Sequence, residues 1–252
     1  MIRVDKIYQR VLLLANKEQR GYITPQEFNV MANQAQMDIF EQYFYDLSQF
    51  RRRPGNDTVH SDMVDVLEEK ISVFKKENEV LYNATYDIYT LTGLNNLYRI
   101  SNVRRDKVLN DDGNVMAQAS NIEEVSQGEL NYMSTPLTKP NYSRPVYVRK
   151  ADRIKVYPSP ALSTTHWASS GRPIKIEWIR KPKQVNWTFV VVGQRPLYNA
   201  SAPDHQDFEL HPSEETELVL KILTLAGFTL KDEALYSLSA QEDGNNIQQE
   251  KI

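Results

Sequence analysis

Two stretches of this chain carry residue types at spacings that could hold a cation. In Asn16-Lys17-Glu18-Gln19-Arg20-Gly21-Tyr22-Ile23-Thr24-Pro25-Gln26-Glu27, a calcium-loop register started at Asn16 puts Asn16, Glu18, Gly21 and Glu27 where an EF-hand needs two oxygen ligands, its glycine turn and its bidentate carboxylate. Between them falls Arg20, whose guanidinium only donates and keeps its positive charge where the ion needs an oxygen. Thr24-Pro25-Gln26-Glu27 also has a simpler explanation as a capping box with Pro at the first helical position. The second stretch is His205, Asp207, Glu209 and His211, two apart. On an extended strand all four share one face, and imidazoles with carboxylates can bind zinc or manganese. Same-face neighbours on a strand are about 6.5 Å apart, so no more than two adjacent ones reach one ion. Alternation with Phe208 and Leu210 has an ordinary source, a half-buried strand whose polar side faces water.

No other segment carries a reaction signature. The chain lacks a Gly-x-Gly phosphate turn, a Gly-Lys-Ser/Thr loop, a Gly-x-Ser-x-Gly elbow and a His-Glu-x-x-His pair. The expectation is a non-enzymatic protein with no catalytic, cofactor-binding or metal-binding residues and no cofactor. The chain has 252 residues, 40% hydrophobic and 25% charged, the composition of an ordinary folded protein with a real core. Zero cysteine excludes disulfides and thiolate chemistry. A net charge of −3 argues against a coat on nucleic acid, which needs surplus Lys and Arg, but not against a protein that nucleic acid merely passes. No apolar run reaches the length of a membrane span, and Met1-Ile2-Arg3-Val4-Asp5-Lys6 lacks the pattern of a secretory signal, so a soluble protein made in a cytosol is expected.

The elements follow from periodicity. Val4, Ile7, Tyr8, Val11, Leu12 and Leu14 predict an amphipathic helix over 3–16, broken by Gly21. A second helix starts after Thr24 and runs to about Phe50 on the stripe Phe28, Ala32, Ala35, Ile39, Tyr43, Leu47, ended by Arg51-Arg52-Arg53-Pro54-Gly55-Asn56 as a solvated cap. A weaker third helix is predicted over 60–75. Residues 81–89 and 97–103 are rich in Tyr, Ile, Val and Thr, as strands are, and Asp111-Asp112-Gly113-Asn114 is a turn. Pro145–Pro158 predicts two strands joined by a tight turn at Ala151-Asp152, followed by a strand through Ile174, Ile176 and Trp178 and a fourth from Trp187 to Val192. Ser163–Gly171 is expected as an exposed loop. Ser213 caps a buried helix ended by Gly227, and a last helix starts near Lys231 with few apolar contacts. The fold class is α+β: N-terminal helices, a central antiparallel β-sheet or small sandwich, and C-terminal helices. The expected regions are 1–78 helical, 79–200 β-rich, and 201–252 helical with a polar tail.

Four blocks stand out together: Ala15–Asn29, Ala35–Phe44, the strand pair Pro145–Pro158, and Phe208-Glu209-Leu210-His211-Pro212-Ser213-Glu214-Glu215. In this order they resemble the neck or ring proteins that join portal to tail in short-tailed bacteriophages of the crAss-like group. Residues 104–140 and the final tail have no counterpart in that likeness. The resemblance implies a structural virion component made in the host bacterial cytoplasm and forming a ring, typically a 12-mer of copies of itself. Its partners are then the portal protein and other neck or tail proteins, with duplex DNA passing through without sequence-specific binding and no membrane contact. The tail from 231 is too poor in apolar residues to hold itself, which makes Leu235, Tyr236, Leu238 and Ile247 the interface candidates. The alternatives are an EF-hand-like calcium-binding regulator and a metal-dependent enzyme built on His205 and His211.

Overall fold

A computed structural model describes residues 1–17, 23–52, 58–109, 115–133, 135, 137–162, 165–167, 171–193, 195–229 and 241. In chain order the elements are α1 (Val4–Lys17), α2 (Pro25–Arg52), α3 (Thr58–Ser72), β1 (Lys75–Val80), β2 (Tyr82–Asn83), β3 (Ile88–Thr90), β4 (Leu97–Arg105), β5 (Val108–Leu109), β6 (Val115–Ala117), β7 (Ser120–Asn121), β8 (Glu123–Glu124), α4 (Gln127–Tyr132), β9 (Val146–Lys150), β10 (Arg153–Tyr157), β11 (Ile174–Arg180), β12 (Phe189–Val192), β13 (Arg195–Tyr198) and α5 (Glu215–Thr229). The class is α+β. The chain forms two compact units, one of Met1–Val73 with Pro182–Ile252 and one of Phe74–Lys181. The β-rich unit thus ends near 181, and residues 182–200 belong with the helices.

The first unit is helical because α1, α2 and α5 each turn an apolar face inward. Val4, Ile7, Tyr8 and Val11 of α1, Phe28, Ala32, Ala35, Ile39 and Tyr43 of α2, and Leu218 and Ile222 of α5 are all buried. The capping box opens α2 as expected: Glu27 N–H donates to Thr24 Oγ1 at 3.3 Å, and Thr24 N–H donates to the Glu27 carboxylate at 2.9 Å. That hydrogen bonding holds the Glu27 carboxyl below its usual value. At the other end of the unit the expected Ser213 cap is replaced by His211. Its Nδ1 accepts the Ser213 N–H at 3.3 Å and starts a 3-10 turn, Pro212–Glu214, that leads into α5. Gly227 does not end α5, which continues to Thr229.

One feature of this unit has no hydrophobic periodicity behind it. Asn29, Asn33 and Gln36, spaced four and three along α2, hold the extended segment 183–187 by its backbone. Trp187 N–H donates to Asn29 Oδ1 (2.8 Å) and Val185 N–H to Asn33 Oδ1 (2.7 Å), while Asn33 Nδ2 donates to the Val185 carbonyl (2.9 Å) and Gln36 Nε2 to the Lys183 carbonyl (2.8 Å). The geometry works because one helical turn advances about 5.4 Å and two strand residues about 6.6 Å. Three amides therefore match three alternate residues of the extended chain.

The second unit is a small sandwich. A four-stranded sheet in the order β1-β11-β4-β7 and a five-stranded sheet in the order β2-β3-β10-β9-β8 share one core, which contains Ile100, Val103, Ile174, Ile176 and Trp178 from the first and Tyr89, Tyr147, Ile154 and Val156 from the second. Pairing is antiparallel except for β8 with β9. The hairpin β9–β10 turns at Ala151, whose φ of 50° is the left-handed value a two-residue hairpin asks for. Its register sends apolar side chains to both faces of the sheet. Tyr147 lies opposite Val156 and joins the main core, while Val146 and Val148 point the other way into a satellite cluster with Leu130 and Met133. The expected strand over 81–89 is broken into β2 and β3 by the turn 84–87, with Asp87 at φ 54°. Residues 75–80, expected at the end of a helix and beyond, form the edge strand β1. Trp167, expected in an exposed loop, is 1% exposed and part of the core. Among the described residues, no helix is long and apolar enough to cross a membrane.

Candidate functional site

Of the four residues spaced for a metal, His205 and Asp207 come together while Glu209 and His211 serve elsewhere. His205 Nε2 lies 3.2 Å from the Tyr198 hydroxyl and 3.6 Å from Asp207 Oδ1. Asp207 Oδ1 accepts the Val4 N–H at 2.8 Å and so fastens the start of α1. Glu209 is 2% exposed, accepts the Lys183 N–H at 2.8 Å, and donates its own N–H to Gln36 Oε1 at 3.1 Å. His211 is the cap described above. The segment is held by isolated bridges, Ile2 to Phe208 and Asn186 to Gln206, rather than in a sheet. Strict alternation therefore fails, and Phe208, Glu209 and Leu210 are all buried. Among the described residues, no three His, Asp or Glu side chains come close enough to share an ion.

A second polar cluster, in the sandwich, was not signalled by the sequence. Asp87 Oδ1 accepts from the Tyr82 hydroxyl (2.6 Å) and from Ser159 Oγ (2.5 Å), and Asp87 Oδ2 faces Lys155 Nζ at 3.0 Å. A serine beside a carboxylate invites comparison with an activated nucleophile. Burial works to raise the Asp87 carboxyl, but Ser159, Tyr82 and Lys155 outweigh it and hold the group below its ordinary value. A carboxylate stabilised in that way is a poor proton acceptor. Its contacts tie the β2–β3 turn to the end of β10, which is a structural role.

The calcium-like positions Glu18, Arg20 and Gly21, the turn Asp111–Asn114, the segment Arg53–Asn56 and the interface candidates Leu235, Tyr236, Leu238 and Ile247 lie outside the described residues. Within the described residues, the hairpin β12–β13 carries a run of exposed apolar side chains. It forms a sheet of two strands only, with Phe189 opposite Tyr198, Val190 opposite Leu197, Val191 opposite Pro196 and Val192 opposite Arg195. Pleating puts Val190, Val192, Leu197 and Arg195 on one face and Phe189, Val191, Pro196 and Tyr198 on the other. Val190, Val191, Val192 and Leu197 are 51–64% exposed.

The base of the hairpin is anchored by side-chain contacts. The Trp187 ring, fixed by the amide ladder and by its Nε1–H donating to Asp5 Oδ1 at 3.1 Å, stacks on both Phe189 and Tyr198 with centroids 5.8 Å away. Thr188 Oγ1 donates to the Asn199 carbonyl. The two edges differ. Pairing puts Pro196 at a position whose N–H would point away from β12, so the outer edge of β13 lacks one donor while that of β12 keeps its full set. The contrast with the sandwich edge is sharp, since β1 carries Lys75, Lys76, Glu77 and Glu79, the charges with which proteins blunt an open edge. β12 has four apolar residues and no charge. Three consecutive valines at 190–192 were legible in the sequence as a strand; that they stay open was not, because openness depends on which neighbours the fold supplies.

No protein-family model matches the chain, and no curated protein matches its sequence.

Proposed function

We propose that this chain is a structural subunit that closes into a ring with copies of itself in the neck of a short-tailed bacteriophage, between portal and tail, around the channel through which duplex DNA leaves the head. The observation that carries this reading is the β12–β13 hairpin, with exposed valines on both faces and an uncharged edge on an anchored base. A lone two-stranded ribbon of this kind is marginal in water and gains stability when another chain covers it. Contact between different surfaces of identical copies gives a ring when the rotation closes. The blocks Ala15–Asn29 and Phe208–Glu215, which carry the resemblance, contribute to the scaffold of the same unit: the start of α2, and the segment that ties α1 and α5 together. The net charge of −3 suits a channel wall that DNA slides past.

The test is the mass of the purified chain in solution. Light scattering behind size exclusion at rising concentration, alone and with portal protein, is expected to give a discrete high-order oligomer with little between it and the monomer. A monomer at every concentration under both conditions would remove the reading.

A further inference from the structure

Arg105 ends β4 opposite Ser120 of β7, so the two side chains leave the strand pair on the same face of the sheet. Arg105 is 3% exposed. Its Nη1 donates to the Tyr142 carbonyl at 3.0 Å and its Nη2 to the Gln118 carbonyl at 3.1 Å, and Cζ lies 5.3 Å from the centre of the Trp167 ring. These contacts fix the guanidinium plane and supply no counter-charge. Among the described residues, no carboxylate pairs with Arg105, and burial pushes its guanidinium below the usual arginine value. Three donors in this neighbourhood are buried with no acceptor among the described residues: Arg105 Nε, Ser120 Oγ and Trp167 Nε1.

A buried cation without an opposite charge is among the most costly arrangements a protein interior can hold, and an unmet donor beside it adds to the cost. Ordered water would satisfy donors and leave the charge uncompensated. An anion does both. We infer that the sandwich binds a small inorganic anion, a halide or a tetrahedral oxyanion, against Arg105 Nε, with the Ser120 hydroxyl and the Trp167 indole N–H as further donors. The site is inside the second unit, so a phosphate of passing DNA cannot reach it. Its role is to complete the end of the sandwich where β4 meets β7.

The experiment uses the full chain in gluconate buffer, replacing gluconate by chloride in one series and by inorganic phosphate in another at constant ionic strength, with thermal unfolding followed by tryptophan fluorescence. A saturable rise in Tm is expected with one anion or both, and whichever acts sizes the site. Ser120→Ala is expected to weaken the apparent affinity by roughly tenfold, the loss of one hydrogen bond to a charged group, and Arg105→Met to abolish the response. Ser120→Ala keeps the test decisive where Arg105→Met fails to fold. In crystals grown in bromide, an anomalous peak is expected within hydrogen-bond reach of Arg105 Nε. A response that is absent, that does not saturate, or that is the same in wild type and Ser120→Ala would overturn the proposal and leave the donors to water.

Discussion

Replacing Asn33 by Leu tests the amide ladder that holds the hairpin in place. The two side chains are close in size, so the change removes hydrogen bonding with little loss of packing. Asn33 meets both backbone groups of Val185, accepting its N–H at 2.7 Å and donating to its carbonyl at 2.9 Å. Val185 is 2% exposed, so water cannot replace both partners without opening the segment. Each buried group left unmet costs about 1–3 kcal/mol, which gives roughly 2–6 kcal/mol for the pair. At roughly 2–4 °C per kcal/mol for a chain of this length, Tm should fall by about 4 °C or more. Urea unfolding followed by tryptophan fluorescence measures the loss. Amide hydrogen exchange locates it, with Val185 and Trp187 N–H losing protection first because their acceptors, Asn33 and Asn29, sit on adjacent turns of α2. A loss below about 0.5 kcal/mol, too small for even one unmet buried group, with both amides still protected, would refute the ladder as the element that positions the hairpin.

Three further outcomes follow from the packing. Lys70→Met leaves Glu214, which Lys70 Nζ meets at 2.5 Å, buried without its cation, at a cost of about 3–5 kcal/mol at pH 7. Burial works to raise the Glu214 carboxyl, and Lys70, Glu217 and Ser213 outweigh it to hold the group below its ordinary 4.5. A carboxyl lowered on folding stabilises above its unfolded pKa, so the wild type loses this contribution as pH falls below 4.5, while the variant keeps Glu217 and Ser213 but lacks the Lys70 cation, and its carboxyl lies higher than the wild type's. The gap between the two should therefore narrow as pH falls from 7 towards 4, and a constant gap in urea midpoints contradicts the pairing. Trp167→Ala should cost about 3–5 kcal/mol because the ring is 1% exposed; calorimetric unfolding with a loss under about 1 kcal/mol, the size expected of an ordinary surface change, would put the ring back in an exposed loop. Val191→Lys, at a position 64% exposed, should leave the Tm of the monomer within about 2 °C and abolish the high-order species in light scattering, whereas intact oligomers would exclude this edge from the interface.

What the sequence made legible divides by physical cause. Elements whose own chemistry specifies them were readable: α1 and α2 from apolar spacing and the Thr24–Glu27 box, β9–β10 from its valines and its turn, β11 from Ile174, Ile176 and Trp178. Elements that depend on neighbours were not. Lys75–Val80 has no apolar face because β1 is an exposed edge, so periodicity gave nothing to find. Trp187–Val192 has the composition of a sheet strand, yet Asn29 and Asn33 assign its start to the helical unit, and an asparagine at that spacing carries no period of its own. His211 caps the 3-10 turn that precedes α5 because its imidazole nitrogen accepts the Ser213 N–H two residues on, which starts the turn before Ser213 is reached. The hairpin was half legible as a site, the valines being visible in the sequence and their exposure only in the fold.

The central claim is that this polypeptide is built to meet copies of itself. Electron microscopy of the purified full chain at high concentration, in parallel with Val191→Lys, tests it most directly. Closed rings of uniform subunit number in the wild type, and single particles of monomer size in the variant, are predicted. Single particles in both, with portal protein present as well as without, would contradict the account.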